Sequence, residues 1–480
     1  MGGVGFAPAS LRRDVIAVTA ARFLVPLLSS VLVIILARSS GPSTLGHYTF
    51  LITLFQLLEY LKSCGLQTLL VRECSGRPVE LTMAWHSELI RFGVLGGIAV
   101  LPVLPLATAG MQPSAELIVG ALLIGLGLLP SAVAMANEAA LLAMNRSPFT
   151  VWLALGEGLL RTAVSVGVVA SGGGLIALVT VYALCRALAA AAGWLLLSRI
   201  PVGPSCVDGA AIRAHLRREA VPFGKAFVLP LALFRLDVLM LGWFGTAAGI
   251  GIYGAAVRLF SIGLVLPDGV LGAVFATLSR VHAEQDAARL RSLVRASMQL
   301  LTSILVIAAA CGSALALFGI DILFGPEFRD AADVLVVLLW SLPFFALNRA
   351  LGDALVCTGS QRSVGAVVLA ATASGCVIYP TGVIHAGAAG AAWALVAVTC
   401  LITTLTSVSA VRRQITTWSD VAAAGAPAVL GIVSAAFPEG RARNILLAAS
   451  LSLLSITALL RYAPAFRPGI PALAKSGDCT

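Results

Sequence analysis

Residues 231–245 read LALFRLDVLMLGWFG. The stretch is apolar enough to enter a bilayer, yet Arg235 and Asp237 sit near its middle. A charge at the centre of a membrane helix costs on the order of 3 kcal/mol when it faces lipid. What setting tolerates an arginine there is decided by the rest of the chain.

That chain is 480 residues long, 59% hydrophobic and 11% charged, whereas a soluble globular domain carries about 25% charge. Apolar runs of roughly 20 residues recur along its whole length, the length needed to span hydrocarbon as a helix. Without water in the bilayer core, backbone groups must be satisfied inside each segment, which selects helices. Barrel strands would alternate with a period of two, and runs such as VLVIILA and LVIAAACGSALALFG do not. The expected fold class is an all-α polytopic membrane protein.

Thirty-two Lys+Arg against 22 Asp+Glu give a formal charge of +10. Loop topology accounts for this, since cytoplasmic loops accumulate basic residues. No soluble segment is long enough to form a basic face for nucleic acid. The nine cysteines form no CxxC pair, and most lie in apolar runs such as ALVCTGS and VTCLITT, where cysteine acts as a small hydrophobe. The first apolar segment, about 14–38, exceeds the apolar core of a cleavable signal and reads as helix 1.

Apolar length and breaks at Gly, Pro and charge give about 14 spans. Helices 1–6 are expected at about 14–38, 45–71, 85–108, 115–143, 149–170 and 175–198. After the polar stretch RIPVGPSCVDGAAIRAHLRREA, helices 7–12 follow at about 222–244, 248–279, 296–319, 330–357, 363–384 and 388–411. Helices 13 and 14 lie at about 419–437 and 443–461. One alternate set of loops carries most arginines, among them Arg12, Arg13, Arg72, Arg77, Arg146, Arg280, Arg289, Arg291, Arg412 and Arg413. The other set is short and cation-poor, with Arg38, Arg329, Arg441 and Arg443 as exceptions. This places both termini in the cytoplasm of a cell whose inner membrane the chain crosses.

An internal repeat is visible. LGHYTFLITLFQLL resembles IGIYGAAVRLFSIGL, placing Tyr48 and Tyr253 205 positions apart (253 − 48). NEAALLAMNR resembles NRALGDALVCTGSQR, placing Asn137 and Asn348 211 apart (348 − 137). The shared offset suggests two pseudo-symmetric six-helix lobes: residues 1–198, a cytoplasmic linker at 199–220, residues 221–413, and a C-terminal helix pair and tail at 414–480. Repeats of this kind place a substrate site at their interface.

Six arginines fall inside expected helices: Arg22, Arg161, Arg186, Arg235, Arg258 and Arg349. Facing lipid, they would together cost about 20 kcal/mol, more than a typical total stability. Glu157–Arg161 and Arg349–Asp353 are spaced i,i+4 and Glu59–Lys62 i,i+3, so each pair shares a helix face and is a candidate for counter-ion or coupling roles. Arg186 lies near enough to a helix end to snorkel. Arg22 and Arg258 have no acid within one turn, and Asp237 stands at i+2 from Arg235, on a different face. With helices 1, 7 and 8 lining a central cleft, these three suit a phosphate-bearing substrate, because the guanidinium fork binds phosphate bidentately and keeps its charge. Pro26, Pro130, Pro230, Pro267, Pro343 and Pro380 are expected to kink helices.

HExxH, Walker A and G-x-S-x-G motifs are absent, and the five histidines are scattered, mostly in loops. No metal site, cofactor or enzymatic activity is expected. Residues able to move a substrate are present; residues arranged to break a bond are not.

The stretch ARFLVPLLSSVLVIILARSSGPSTLGHYTFLITLFQLLEYLKSCGLQTLLVRE resembles the opening of polysaccharide transporters in the multidrug/oligosaccharidyl-lipid/polysaccharide (MOP) exporter superfamily. FRLDVLMLGWFGTAAGIGIYGAAVRL, LFGPEFRDAADVLVVLL and HAGAAGAAWALV continue the likeness through helices 1–12. The resemblance implies two lobes around a cationic cavity and a flippase for polyprenyl-pyrophosphate-linked oligosaccharide, working by alternating access. It assigns Arg22, Arg235, Arg258 and Arg349 to the cargo, with Asp237 as a tuning or proton-relay group. Tyr48, Tyr253, Asn137 and Asn348 are lesser candidates, for sugar contacts or packing. Implied partners are lipid-linked oligosaccharide, membrane lipid, and polysaccharide polymerases or glycosyltransferases; the transporter itself is expected to be a monomer. The rival readings are an ion-coupled multidrug exporter, a peptidoglycan-precursor flippase, and a non-transporting scaffold of a polymer-export complex.

Overall fold

The computed structural model describes residues 8–109, 115–203, 208–233, 235–436 and six positions between 445 and 456. Side chains are described except at 8–23, 25, 26, 109, 225–227, 266–270, 273 and 276. Expected helix 14 and the exceptions Arg441 and Arg443 lie largely or wholly outside the described residues.

Among those residues the regular structure is helical throughout. The first lengths are α1 (Pro8–Ser63), α2 (Leu66–Cys74), α3 (Val79–Val100), α4 (Val103–Ala109), α5 (Ala115–Leu126), α6 (Leu128–Ala143), α7 (Ser147–Ala170) and α8 (Leu175–Ser198). The chain continues through α9 (Gly209–Leu233), α10 (Leu236–Phe244), α11 (Ala247–Ala283) and α12 (Ala287–Leu323). It then forms α13 (Asp330–Leu339), α14 (Leu342–Cys357), α15 (Gln361–Arg412) and α16 (Trp418–Ala436). Nine helical segments among the described residues are long and apolar enough to cross a membrane, ten when α9 and α10 count as one broken span. The chain is a multi-pass membrane protein.

The count is smaller than the number of expected crossings because two helices each cover two of them through a kink, expected helix 3 (α3 and α4) is not among the spans, and expected helix 14 lies largely outside the described residues. α1 covers expected helices 1 and 2 and breaks at Gly41, whose φ is +73°. α15 covers helices 11 and 12 and breaks at Ala386–Gly387, Gly387 having φ +55°. Left-handed backbone is open to glycine and strained for other residues, so glycine, not proline, sets both bends. Pro380 lies inside α15 without a non-helical residue at its position. Pro343 sits in the first turn of α14, where its missing N–H is harmless.

Two compact units are distinguished. Unit 1 comprises Met1–Arg258, Leu317–Val334 and Val368–Ala394; unit 2 comprises Leu259–Ala316, Leu335–Val367 and Leu395–Thr480. In unit 1 the stretch expected as a polar linker already contains the start of α9. Ile212 and Leu216 are buried with Leu66, Leu69, Trp85 and Leu89, and Arg213 pairs with buried Glu88 at 2.8 Å. Two exceptions to the loop-charge pattern also find their cause here. Arg38 donates to the carbonyls of Leu323 (3.0 Å) and Ile322, capping the end of α12. Arg329 pairs with Asp321 at 3.1 Å.

The repeated Leu/Ile-Gly-x-Tyr elements pack on each other. A Cβ on Gly46 would lie 1.8 Å from the Ala247 carbonyl oxygen, and one on Gly251 would lie 2.0 Å from that of Pro42. Positions 42 and 247, and 46 and 251, are each separated by 205, the offset of the sequence repeat. The contact is therefore reciprocal: each glycine meets the repeat-mate of the residue that its own mate meets. Only glycine permits backbones this close. Gly46→Ala and Gly251→Ala should each lower stability by about 1–3 kcal/mol, the cost of overpacking. Gly167→Ala, with nothing within 4 Å of the added carbon, should leave the thermal unfolding midpoint unchanged or raise it.

Candidate functional site

Unit 1 gathers intramembrane charges from four helices. Glu157 and Arg161, one turn apart on α7, pair at 3.3 Å. Arg186 on α8 reaches Glu157 at 3.1 Å through Nη1. Its Nη2 donates to Glu59 on α1 and to the Ser131 hydroxyl on α6, the latter at 3.1 Å. Ser131 in turn donates to Glu59. The Arg161 guanidinium also stands 5.0 Å over the Tyr182 ring. Arg186, Glu59 and Glu157 are each at most 12% exposed at the side chain, so their charges are matched by protein.

This network corrects two expectations. Arg186 does not snorkel; it is the buried centre of the network, bound to acids 127 and 29 residues away. Glu59 is bound to Arg186, while Lys62 donates to the Leu128 carbonyl at 2.6 Å, at the break between α5 and α6. Sequence spacing marks only pairs on one helix, and the long-range partners prevail here. The signal was nevertheless present: Glu59 is an acid inside an apolar run and needs a cation from somewhere.

The opening stretch is not one helix. α9 ends at Leu233 and α10 begins at Leu236, with Arg235 at its N-cap position (φ −123°, ψ −2°). Arg235 thus follows the negative end of one helix, and Asp237 occupies the first turn of the next, at its positive end, each matched to the local dipole. Asp237 is buried and accepts hydrogen bonds from the Tyr253 hydroxyl and the Val238 N–H, both at 2.7 Å. Arg235 is half-buried, and its side chain makes no hydrogen bond or ion pair among the described residues; Asp237 and Arg258 are among its electrostatic neighbours.

Arg258, on α11, donates to the Ser29 hydroxyl on α1 at 3.3 Å. Its electrostatic neighbours include Tyr48, Arg235 and Arg161. Arg161 therefore connects the balanced network to a second group in which cations accumulate. Arg22 lies on α1, seven residues before Ser29, and its side chain is outside the described residues.

The remaining sequence candidates are engaged locally. In unit 1, the Asn137 Oδ1 accepts from His86 Nε2–H at 2.8 Å, and its Nδ2 donates to the Ala190 carbonyl at 2.9 Å. In unit 2, Arg349 pairs with Asp353 at 3.2 Å, the expected i,i+4 contact. Asn348 there accepts from the Thr406 hydroxyl at 2.8 Å. The structure brings Arg161, Arg235, Arg258 and Tyr48 together within unit 1, while Arg349, Asp353 and Asn348 belong to unit 2.

Helical spans, a broken helix and charges gathered inside the spans define a multi-pass helical membrane protein. The chain belongs to the family of polysaccharide biosynthesis proteins, whose profile matches residues 35–333. Its fold is similar to that of the lipid II flippase MurJ in an inward closed conformation, with TM-score 0.70 and 13% identity over 93% of this chain and 99% of that one. It is similar to a multidrug resistance MATE family transporter of the MOP superfamily in an inward-facing conformation, with TM-score 0.65 and 14% identity over 83% of this chain and 98% of that one. A MOP superfamily transporter from Pyrococcus furiosus, described as having a binding pocket of reversed polarity, matches with TM-score 0.53 and 15% identity over 84% and 96% of the two chains. At these identities the likeness is one of fold. No curated protein matches the sequence.

Removing Arg186 leaves Glu59 without its cation. Arg186→Gln is expected to cost about 3–5 kcal/mol, the penalty of an unmatched buried charge. Adding Glu59→Gln should restore part of it. Thermal unfolding of the two single variants and the double variant measures the coupling.

Proposed function

We propose that the protein is a flippase that moves polyprenyl-pyrophosphate-linked oligosaccharide across the cytoplasmic membrane by alternating access, supplying surface polysaccharide synthesis. The observation that carries this reading is the grouping of Tyr48, Arg161 and Arg235 around Arg258 inside the spans of unit 1. Clustered guanidinium groups at membrane depth repel one another, and a pyrophosphate brings negative charge with bidentate geometry. The break between α9 and α10 supports the reading, because discontinuous helices expose backbone donors and acceptors where a polar cargo passes. Arg22 joins the proposed cation set of unit 1, Arg349 in unit 2 is kept as the further cargo candidate that the sequence resemblance implies, and Asp237, held by Tyr253, is the proposed tuning group. Under this reading both termini are cytoplasmic, the two lobes and C-terminal helix pair are those expected from the sequence, and polymerases and glycosyltransferases are the partners. The protein carries out no bond-making step.

The runner-up is a peptidoglycan-precursor flippase, favoured by the fold similarity to MurJ; its cargo also presents a pyrophosphate to the same arginines. The test uses cells lacking this protein, complemented with Arg235→Gln/Arg258→Gln at wild-type abundance, with the leaflet of each lipid-linked saccharide assayed. Oligosaccharide held in the inner leaflet is the expected result, and stalled lipid II instead would favour the runner-up. Normal outer-leaflet delivery of both would contradict a cationic cargo site.

A further inference from the structure

Unit 2 contains a cavity of about 600 Å³ that the transport reading does not use. It opens where the turn between α11 and α12 meets the C-terminal ends of α14 and α15. Its walls include Arg291, Arg413, His282, Gln285 and Gln414, with Asp286 as the one acid.

The charges of this cavity are not balanced within the fold. Asp286 is engaged at the start of α12, where it accepts from the Arg289 N–H at 2.9 Å. Arg289 itself pairs with Glu284 at 3.6 Å. Arg413 reaches only the Ser363 hydroxyl, at 3.2 Å. Among the described residues, the side chains of Arg291 and His282 make no hydrogen bond or ion pair. Arg291 also lies near the N-terminus of α12, the positive end of the helix dipole, where a cation is disfavoured. Gln285 and Gln414 occupy left-handed positions at φ 58° and 56°, which turn the chain sharply on opposite segments of the rim. The result is a concave, donor-rich site with an uncompensated guanidinium on its wall.

We propose that this cavity binds a phosphate group, held by Arg291 and Arg413 with His282 and the glutamine amides as further donors. A guanidinium pair matches phosphate oxygens in geometry and charge, and the volume leaves room for the group that the phosphate is attached to. The source is either the headgroup of an anionic membrane lipid or a soluble phosphate. The site is separate from the arginines assigned to cargo, so the inference stands or falls apart from the flippase reading.

The test uses the full chain carrying Arg235→Gln/Arg258→Gln, which removes phosphate binding at the proposed cargo site. In one arm, nanodiscs of phosphatidylcholine are titrated calorimetrically with inorganic phosphate. In the other, native mass spectrometry counts phosphatidylglycerol retained from mixed-lipid nanodiscs. Adding Arg291→Ala/Arg413→Ala should weaken binding at least tenfold in one arm, and the arm that responds names the source. Arg291→Gln alone, at a side chain with no partner to lose, should weaken it in the same arm. Arg289→Ala, whose side chain pairs with Glu284 and is not part of the cavity wall, should leave it unchanged. Equal binding by the cavity variants and the Arg289→Ala control, or no binding in either arm, would overturn the proposal.

Discussion

The structure depends on one constraint: an ion inside a bilayer must be matched by protein, water or cargo. In unit 1 the first solution is met at Arg186, whose two terminal nitrogens are bound by Glu59, Glu157 and Ser131. These contacts join α1, α6, α7 and α8, helices that share little besides apolar surface. Apolar surface gives weak specificity in lipid, because lipid tails are as apolar as leucine. A buried ion network, in contrast, tolerates few arrangements, so it fixes which helices meet and in which register.

The same constraint separates structural charges from available ones. Arg186 and Glu157 are satisfied from several directions, Arg38 caps a helix, and Arg349 has Asp353. The Arg235 side chain lies at a helix break with no hydrogen bond or ion pair among the described residues, and it is an electrostatic neighbour of Arg258, as is Arg161, which also pairs with Glu157. Sites that bind anions gather cations in this way. This difference within unit 1 is what the proposed function draws on in assigning cargo recognition to Arg235 and Arg258 and not to Arg186.

Much of this was readable before any coordinates. Apolar length gave the helical class and most helix positions, because in a membrane hydropathy and backbone satisfaction point the same way. The repeat offset of 205, read from Tyr48 and Tyr253, recurs in the reciprocal packing of Gly46 and Gly251, which the sequence reading did not single out. What could not be read was pairing across helices. Glu59 and Lys62 look like partners at i,i+3, yet each is drawn elsewhere by groups more than 60 residues away. Kinks were expected at prolines, yet Pro380 leaves α15 helical at its position; the breaks fall at Gly41 and Gly387, inside short stretches read as loops between helices, where a positive φ favours glycine. The break at Arg235 was hidden for the opposite reason: its flanks, LALF and LDVLMLGWF, are apolar enough to suggest one uninterrupted helix.

The central claim is that Arg235 is kept for what passes it and not for holding the fold. The measurement that tests this most directly is the unfolding free energy of Arg235→Gln in the same lipid as the wild type. The account predicts a change within about 1 kcal/mol, typical of a side chain outside the packed and paired core. A loss of about 3–5 kcal/mol, the signature of a broken buried ion pair, would contradict it and make Arg235 a structural residue.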